Sequence, residues 1–487
     1  MLHLRFVSLF LALSVSTFLS SVALGETVLR FDFASSSTLR DVSFDTGVFS
    51  TIGDAGATLG TGQFTALQFD GFLDPEFADI GVNAEVSISG LQVNGMAQTF
   101  GTVIGQEFTG GTISVFDDMQ TLLLSASLGD STLFGSTVSG TAQLSNTSPV
   151  TFDGGTLLPF LDPNSGGLSV SMVNVRTGSL VGLRENAGVL NNFSADASGQ
   201  IEAAAVIPEP LGGAFLGLLG IVAFAFHSRR RISFRELSAC ATHAADRRPR
   251  FLFAKLARRV STGTLTIAVM VIGMTQSADA GVIIRANLNG APTSVGDLRF
   301  ENGELFTLDD GHTPIGDQRT DIEFESFLSP LFANIADLAS FSLDGVMADG
   351  PVQYLGTGPS VFQETVGGTF RLYDSADSLL LEGELQTGLI AGSLTASTGG
   401  FMSTSPVIFT AGSLLPSLPL HAGDFSMTFS GIQSDAGAAL SDAGGVLSGF
   451  RADGQVLIDS QPVPEPGTLA AFATLCLGGL VSRRIRL

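Results

Sequence analysis

Glu85-Val86-Ser87-Ile88-Ser89-Gly90-Leu91-Gln92-Val93 alternates apolar and polar residues at period two. Thr112-Ile113-Ser114-Val115-Phe116 does the same and then breaks at Asp117-Asp118. Leu168-Ser169-Val170-Ser171-Met172-Val173 repeats the pattern. Such alternation places the apolar side chains on one face of a half-buried strand. Gly, Asn, Asp and Ser punctuate the chain about every ten positions, the spacing of an antiparallel sandwich or barrel. Sustained helical periodicity is absent between Glu26 and Ala205. The segment reads as all-β and sandwich-like.

Working outward, the same unit occurs twice. Phe69-Asp70-Gly71-Phe72-Leu73-Asp74-Pro75-Glu76-Phe77-Ala78-Asp79-Ile80 aligns with Phe324-Glu325-Ser326-Phe327-Leu328-Ser329-Pro330-Leu331-Phe332-Ala333-Asn334-Ile335, and seven of the twelve positions are identical. Gly110-Gly111-Thr112 matches Gly367-Gly368-Thr369, and Leu122-Leu123-Leu124 matches Leu379-Leu380-Leu381. Ser148-Pro149-Val150 matches Ser405-Pro406-Val407, and Leu157-Leu158-Pro159 matches Leu414-Leu415-Pro416. From the Gly-Gly-Thr pair onward these landmarks keep a constant offset of 257 residues. A repeated unit of this size, at 26–205 and 281–461, is a domain and not a solenoid repeat. The many Phe residues, Phe69, Phe72 and Phe77 with their counterparts among them, are expected in the cores.

Charge excludes one class of partner. Of 487 residues, Glu26–Ile207 holds 19 acidic and 4 basic, and Gly281–Val463 holds 22 acidic and 5 basic, with no lysine in either. Such segments repel phosphate backbones, so no nucleic-acid partner is expected. Arg229–Arg259 reverses the balance, with ten basic residues against Glu236 and Asp246. The two cysteines, Cys240 and Cys476, lie outside both acidic segments, so ordinary cores and not disulfides must hold them.

Candidate chemistry is sparse. The first segment has no His and no Cys, which removes imidazole-assisted nucleophiles and zinc sites with nitrogen or sulfur ligands. The second has His312, in the turn-like Asp309-Asp310-Gly311-His312-Thr313-Pro314, and His421. Paired carboxylates can run glycoside hydrolysis, but Asp74, Glu76 and Asp118 become Ser329, Leu331 and Ser375 in the second copy. Only Asp117 finds an acid there, Asp374, and a shared acid at a strand end reads as a turn residue. No enzyme is expected, and no catalytic residue is assigned. Calcium is the one cofactor that remains open, with oxygen ligands from the loops around Phe69–Asp79, Asp117-Asp118 and Asp309–Asp321. No EF-hand spacing accompanies them. Glycan stacking has little support, since there is no Trp and the only Tyr residues are Tyr354 and Tyr373.

The segments flanking the copies concern delivery. Residues 1–25 have the weakly basic start, apolar middle and small-residue exit of a secretory signal peptide. Residues 263–280 repeat that arrangement after Lys255, Arg258 and Arg259. After each copy comes a three-part signature over 206–231 and 462–487. Pro208-Glu209-Pro210 precedes the apolar Leu211–Phe226 and the cluster Arg229-Arg230-Arg231. Pro464-Glu465-Pro466 precedes Gly467–Val481 and then Arg483, Arg484 and Arg486. Sixteen helical residues span about 24 Å, slightly short of a bilayer core of about 30 Å. Arginines just beyond such a run mark its cytoplasmic end.

This order resembles the PEP-CTERM sorting signal of exported bacterial proteins, over about 25 residues per copy. The resemblance implies processing by an exosortase-type membrane protease. It further implies a Gram-negative-type envelope and an association with exopolysaccharide. The internal position of the first signal departs from that family, which carries it at the C-terminus.

Taken together, the sequence predicts two tandem antiparallel β-sandwich-like domains, at 26–205 and 281–461. Each is expected to have an N-terminal signal-like segment and a C-terminal transmembrane helix. Residues 232–262 form a basic cytoplasmic connector between them. The product is expected to be an exported, membrane-sorted structural or interaction protein of the cell envelope or matrix. Calcium- or glycan-binding modules are the alternative, as are two separate precursors fused in one reading frame.

Overall fold

The computed structural model describes residues 26–33, 40–69, 84–204, 281–288, 296–308, 318–326, 338–418 and 423–460. In the first copy the chain runs through β1 (Glu26–Phe33), β2 (Val42–Asp45), β3 (Val48–Thr51), β4 (Gln63–Phe69), β5 (Ala84–Ser89) and β6 (Leu91–Phe100). It continues through β7 (Val103–Thr109), β8 (Thr112–Phe116), β9 (Leu122–Ser127), β10 (Ser131–Ser136), β11 (Ala142–Asn146) and β12 (Thr151–Gly154). Then follow β13 (Gly167–Thr177), the two-residue strands β14 (Leu180–Val181), β15 (Glu185–Asn186) and β16 (Val189–Leu190), and β17 (Phe193–Ala203).

The second copy opens with β18 (Gly281–Leu288), β19 (Leu298–Glu301), β20 (Glu304–Thr307), β21 (Thr320–Ser326) and β22 (Leu338–Asp344). Next come β23 (Val346–Ala348), β24 (Gln353–Tyr354), β25 (Ser360–Val366), β26 (Thr369–Asp374) and β27 (Leu379–Glu384). It ends with β28 (Thr387–Ser393), β29 (Gly399–Ser403), β30 (Ile408–Ala411), β31 (Gly423–Ser434) and β32 (Phe450–Ser460).

All pairings between these strands are antiparallel, and each copy closes eight of them into a ring. In the first copy the ring is β17-β2-β3-β6-β7-β10-β11-β13, shut by the pairing of β13 with β17. In the second it is β32-β19-β20-β23-β25-β28-β29-β31, shut by β31 with β32. A run of six further strands leads off each ring, β1-β4-β5-β8-β9-β12 and β18-β21-β22-β26-β27-β30, and β14 and β24 add to β13 and β25. The all-β expectation therefore holds, while the sandwich is corrected to a closed ring with a sheet attached. The reason lies in the long strands. β17 pairs through Phe193–Ala195 with β2, and beyond that point it carries β13 on one edge and β1 on the other. Alternation reports which face of a strand is covered, and carries no information on whether the edges meet. Eight strands give a ring just wide enough for side chains to fill.

The expected transmembrane component has no counterpart here. Among the described residues no helix is long and apolar enough to cross a membrane. Helical structure there includes the 3-10 turns Leu158–Phe160 and Leu415–Ser417, which occupy the two Leu-Leu-Pro landmarks. The signal-like segments at 1–25 and 263–280, the connector and the signatures at 206–231 and 462–487 lie outside the described residues.

Both copies are filled by phenylalanine. Phe44 stacks on Phe193 at 5.6 Å and meets Phe108 edge-on at 5.8 Å. In the second copy Phe370 stacks on Phe425 at 4.9 Å, with Phe341, Phe401 and Phe409 around them. Phe69 is buried as expected, whereas Phe72 and Phe77 lie outside the described residues. The Gly-Gly-Thr landmarks form the turns from β7 to β8 and from β25 to β26. Gly110 and Gly111 have φ of 71° and 95°, and Gly367 and Gly368 have φ of 69° and 109°. Side chains avoid that left-handed region, so the glycine pair is a backbone requirement.

Candidate functional site: the seam between the two copies

Not every strand that shows the alternation is half-buried in the way expected. In β13 Val170 and Met172 enter the core, but Ser169 and Ser171 on the opposite face are equally withdrawn from water. That face is covered by the second copy, and both copies belong to one compact unit. β8 behaves as the alternation predicts, with Ile113 and Val115 inside and Thr112 exposed. In β5 the polar side is sealed differently, since the Glu85 carboxylate accepts the backbone N–H groups of Thr58 and Leu59 at 2.9 and 2.6 Å.

Across the seam the uncharged polar side chains find the other copy's backbone. Thr141 Oγ1 donates to the Ser403 carbonyl at 2.5 Å, and Ser139 Oγ to the same carbonyl at 2.8 Å. Ser136 Oγ reaches the Thr404 carbonyl at 2.9 Å, and Ser169 Oγ the Gly399 carbonyl at 2.9 Å. From the other side Thr398 Oγ1 donates toward the Asn146 carbonyl at 3.4 Å, and Thr395 Oγ1 to the Thr147 carbonyl at 2.6 Å. At the 257-residue offset Thr141 is the equivalent of Thr398, and Asn146 of Ser403. Each of those two bonds is therefore the other's mirror in an approximate two-fold arrangement, the signature of an isologous interface.

The first strands obey the same rule. Arg30 pairs with Gln200 in the sheet and Arg285 with Leu457, which makes the arginines equivalent. Arg30 Nη1 donates to the Leu288 carbonyl at 3.2 Å, and Arg285 Nη1 to the Phe33 carbonyl at 2.6 Å. Arg285 Nη2 also lies 3.3 Å from Asp41 Oδ2, an ion pair with both side chains buried. An apolar patch adds to the seam. There Phe362 meets Phe100 at 4.9 Å and Phe134 at 5.2 Å, beside Leu355, Leu389 and Met402.

Two buried carboxyls, Glu202 and Asp459, are equivalent at the same offset and are the most perturbed acids near the seam. Burial holds Glu202 well above the ordinary carboxylate range; a hydrogen bond from Ser397 opposes the rise and Asp453 adds to it. Burial also raises Asp459, helped by Asp424 and Asp196 and opposed by Arg40 and Arg176. Asp424, which accepts the Gly140 N–H at 3.0 Å, is pushed up to about 6 by burial.

Asp117 and Asp374 are turn residues, as their shared position suggested. Asp117 Oδ1 accepts the N–H groups of Met119 and Thr121 at 2.9 and 2.7 Å. Asp374 Oδ1 accepts those of Ala376 and Ser378 at 2.9 and 2.8 Å. Tyr354 donates to Asp442 at 2.7 Å, and Tyr373 lies under the Arg319 guanidinium at 3.7 Å. Among the described residues no three His, Cys, Asp or Glu side chains are grouped to hold a metal ion. The loop from Asp70 to Asp79 and the stretch from Asp309 to Asp317, with His312, lie outside the described residues, as do His421, both cysteines and every residue of the two signatures.

No family model, no curated protein and no solved structure matches this chain. Sequence reasoning missed the seam. Its signal was a polar alternation without charges: no Asp, Glu, Lys or Arg occurs from Ser131 to Phe152 or from Leu385 to Gly423. A strand facing water usually carries some charge, and these faces carry Ser, Thr, Gln and Gly.

Proposed function

We propose that the chain is an exported structural or interaction protein of the cell envelope or extracellular matrix. In this reading its working body is the paired β unit, and it is not an enzyme. Sorting runs through Pro208-Glu209-Pro210 and Pro464-Glu465-Pro466, handled by an exosortase-type membrane protease. The observation that carries the reading is the recurrence of one three-part signature, in the same order, behind each copy.

The seam supports it in one respect. The described residues of the two copies bury polar and charged groups against each other, which supports delivery of both to one compartment. The basic residues of Arg229–Arg259 favour the cytoplasmic side for the connector. Two export events, one before each copy, reconcile those facts. Exopolysaccharide is the partner class that the resemblance implies. Intact-mass measurement of the protein recovered from its native envelope tests the reading. Products ending near Pro208 and Pro464 are expected, and an intact chain of 487 residues as the sole product contradicts it.

A further inference from the structure

The seam is approximately two-fold, yet the residues on it are unlike in a complementary way. Gln143 and Gly400 are equivalent positions, and they face each other. A Cβ on Gly400 would lie 1.9 Å from Gln143 Nε2 and 2.3 Å from the Met427 carbonyl oxygen. A position that meets its own equivalent sits on the two-fold axis. Two first copies joined the same way would drive two Gln143 side chains into space that here admits one. Two second copies would set glycine against glycine and leave a gap.

The apolar patch shows the same complementarity. Gly105 and Phe134 are cross-strand partners in the first copy, and their equivalents, Phe362 and Ala391, are partners in the second. Large and small residues are exchanged between the copies. The one bulky residue of each pair meets the other, Phe134 against Phe362 at 5.2 Å. A like pair of first copies would set Phe134 against Gly105 and leave a void.

Elsewhere on the seam Val173 packs on Leu457, both fully buried. Their equivalents are Ser430 and Gln200. A like pair of first copies would therefore bury Val173 against Gln200, and a like pair of second copies Leu457 against Ser430. Three separate positions thus favour unlike pairing and penalise like pairing, the two requirements of specificity.

We propose that the seam is a heterotypic dimer interface: the two segments remain a 1:1 complex once the chain is severed between them, and neither pairs with itself. The proposal goes beyond the sorting reading and does not depend on it, because it concerns any cut between Val206 and Ser277. It gives a chain with an internal processing signal a reason to encode both partners in one frame. Synthesis as one chain delivers them in equal number, and the cut leaves the complex intact.

The test uses the full chain in detergent, with a site-specific protease sequence inserted within residues 232–262. After cleavage, native mass spectrometry is expected to show one first segment with one second segment. Separation of the two under native conditions overturns the proposal. Unfolding a heavy-isotope cleaved sample together with a light one and refolding the mixture then tests selectivity, because every segment must choose a partner anew. Complexes containing two first segments or two second segments overturn it; unlike pairs with heavy and light partners scrambled support it.

Discussion

Arg285 of the second copy lies 3.3 Å from Asp41 of the first, and neither side chain reaches solvent. Asp41 Oδ2 also accepts the Ala197 N–H at 2.8 Å, so the carboxylate is anchored in its own copy before the arginine arrives. Removing one partner of a buried pair strands the other charge, at a cost of about 3–5 kcal/mol. Arg285→Met is expected to lower stability by about that amount in chemical denaturation. Arg285→Met with Asp41→Asn is expected to cost less, since the amide still accepts the Ala197 N–H without a stranded charge. Equal losses for the two variants would mean that the ion pair is not what holds this part of the seam.

Gly400 has room for a hydrogen and little more. Gly400→Ala places a methyl group against both Gln143 and the Met427 carbonyl. Overpacking of this kind costs about 1–3 kcal/mol. Combining it with Gln143→Ala relieves the side-chain clash but not the carbonyl one, so partial recovery of the melting temperature is expected. Full recovery would place the carbonyl farther away than the structure has it.

The buried acids give the molecule a pH dependence with a definite sign. Asp424, Glu202 and Asp459 all titrate above their ordinary values because burial disfavours the charged form. The folded protein then binds more protons than the unfolded chain, and stability falls as pH rises. For Asp424 the loss accrues between the ordinary value of 3.8 and about 6; Glu202 and Asp459 shift in the same direction. The neighbouring Arg40 and Arg176 moderate the effect and Asp196 and Asp453 strengthen it. Denaturation midpoints measured from pH 5 to pH 8 should therefore decline, and Asp459→Asn should flatten the slope. A midpoint that rises across this range would contradict the burial of these groups.

How far the sequence revealed this arrangement depends on which face of a strand is considered. Ile113, Val115, Val170 and Met172 were legible as core because period-two alternation marks the inner face directly. The duplication was legible from Gly110-Gly111-Thr112 and its partner, since the turn requires positive φ at both glycines. Asp117 was legible as a turn residue because Asp374 preserves it. Ring closure was not legible, because it depends on strands such as β17 having different neighbours along one edge. The burial of Ser169 and Ser171 is not legible from the alternation, since a hydroxyl satisfied by another copy's backbone looks the same along one strand as one satisfied by water.

Asp117→Ala removes the acceptor of two backbone N–H groups at the exposed β8–β9 turn. A loss of about 1–2 kcal/mol is expected, matched by Asp374→Ala in the second copy. Pairing of the two segments should be unaffected, because both turns lie on the attached sheets and not on the seam. A weakened seam in either variant would show that the turns act at a distance.

The pairing itself is tested most directly by joining Val173 to Leu457, which pack on each other across the seam. The full chain would carry Val173→Cys and Leu457→Cys, with Cys240 and Cys476 replaced by serine and a protease site in the connector. Oxidation of the two contacting thiols to a disulfide is expected to join the two segments covalently, so that non-reducing denaturing electrophoresis after cleavage shows one joined band. Single-cysteine variants should show none. Two separate bands from the double variant, or crosslinks only between like segments of different chains, would contradict the paired arrangement.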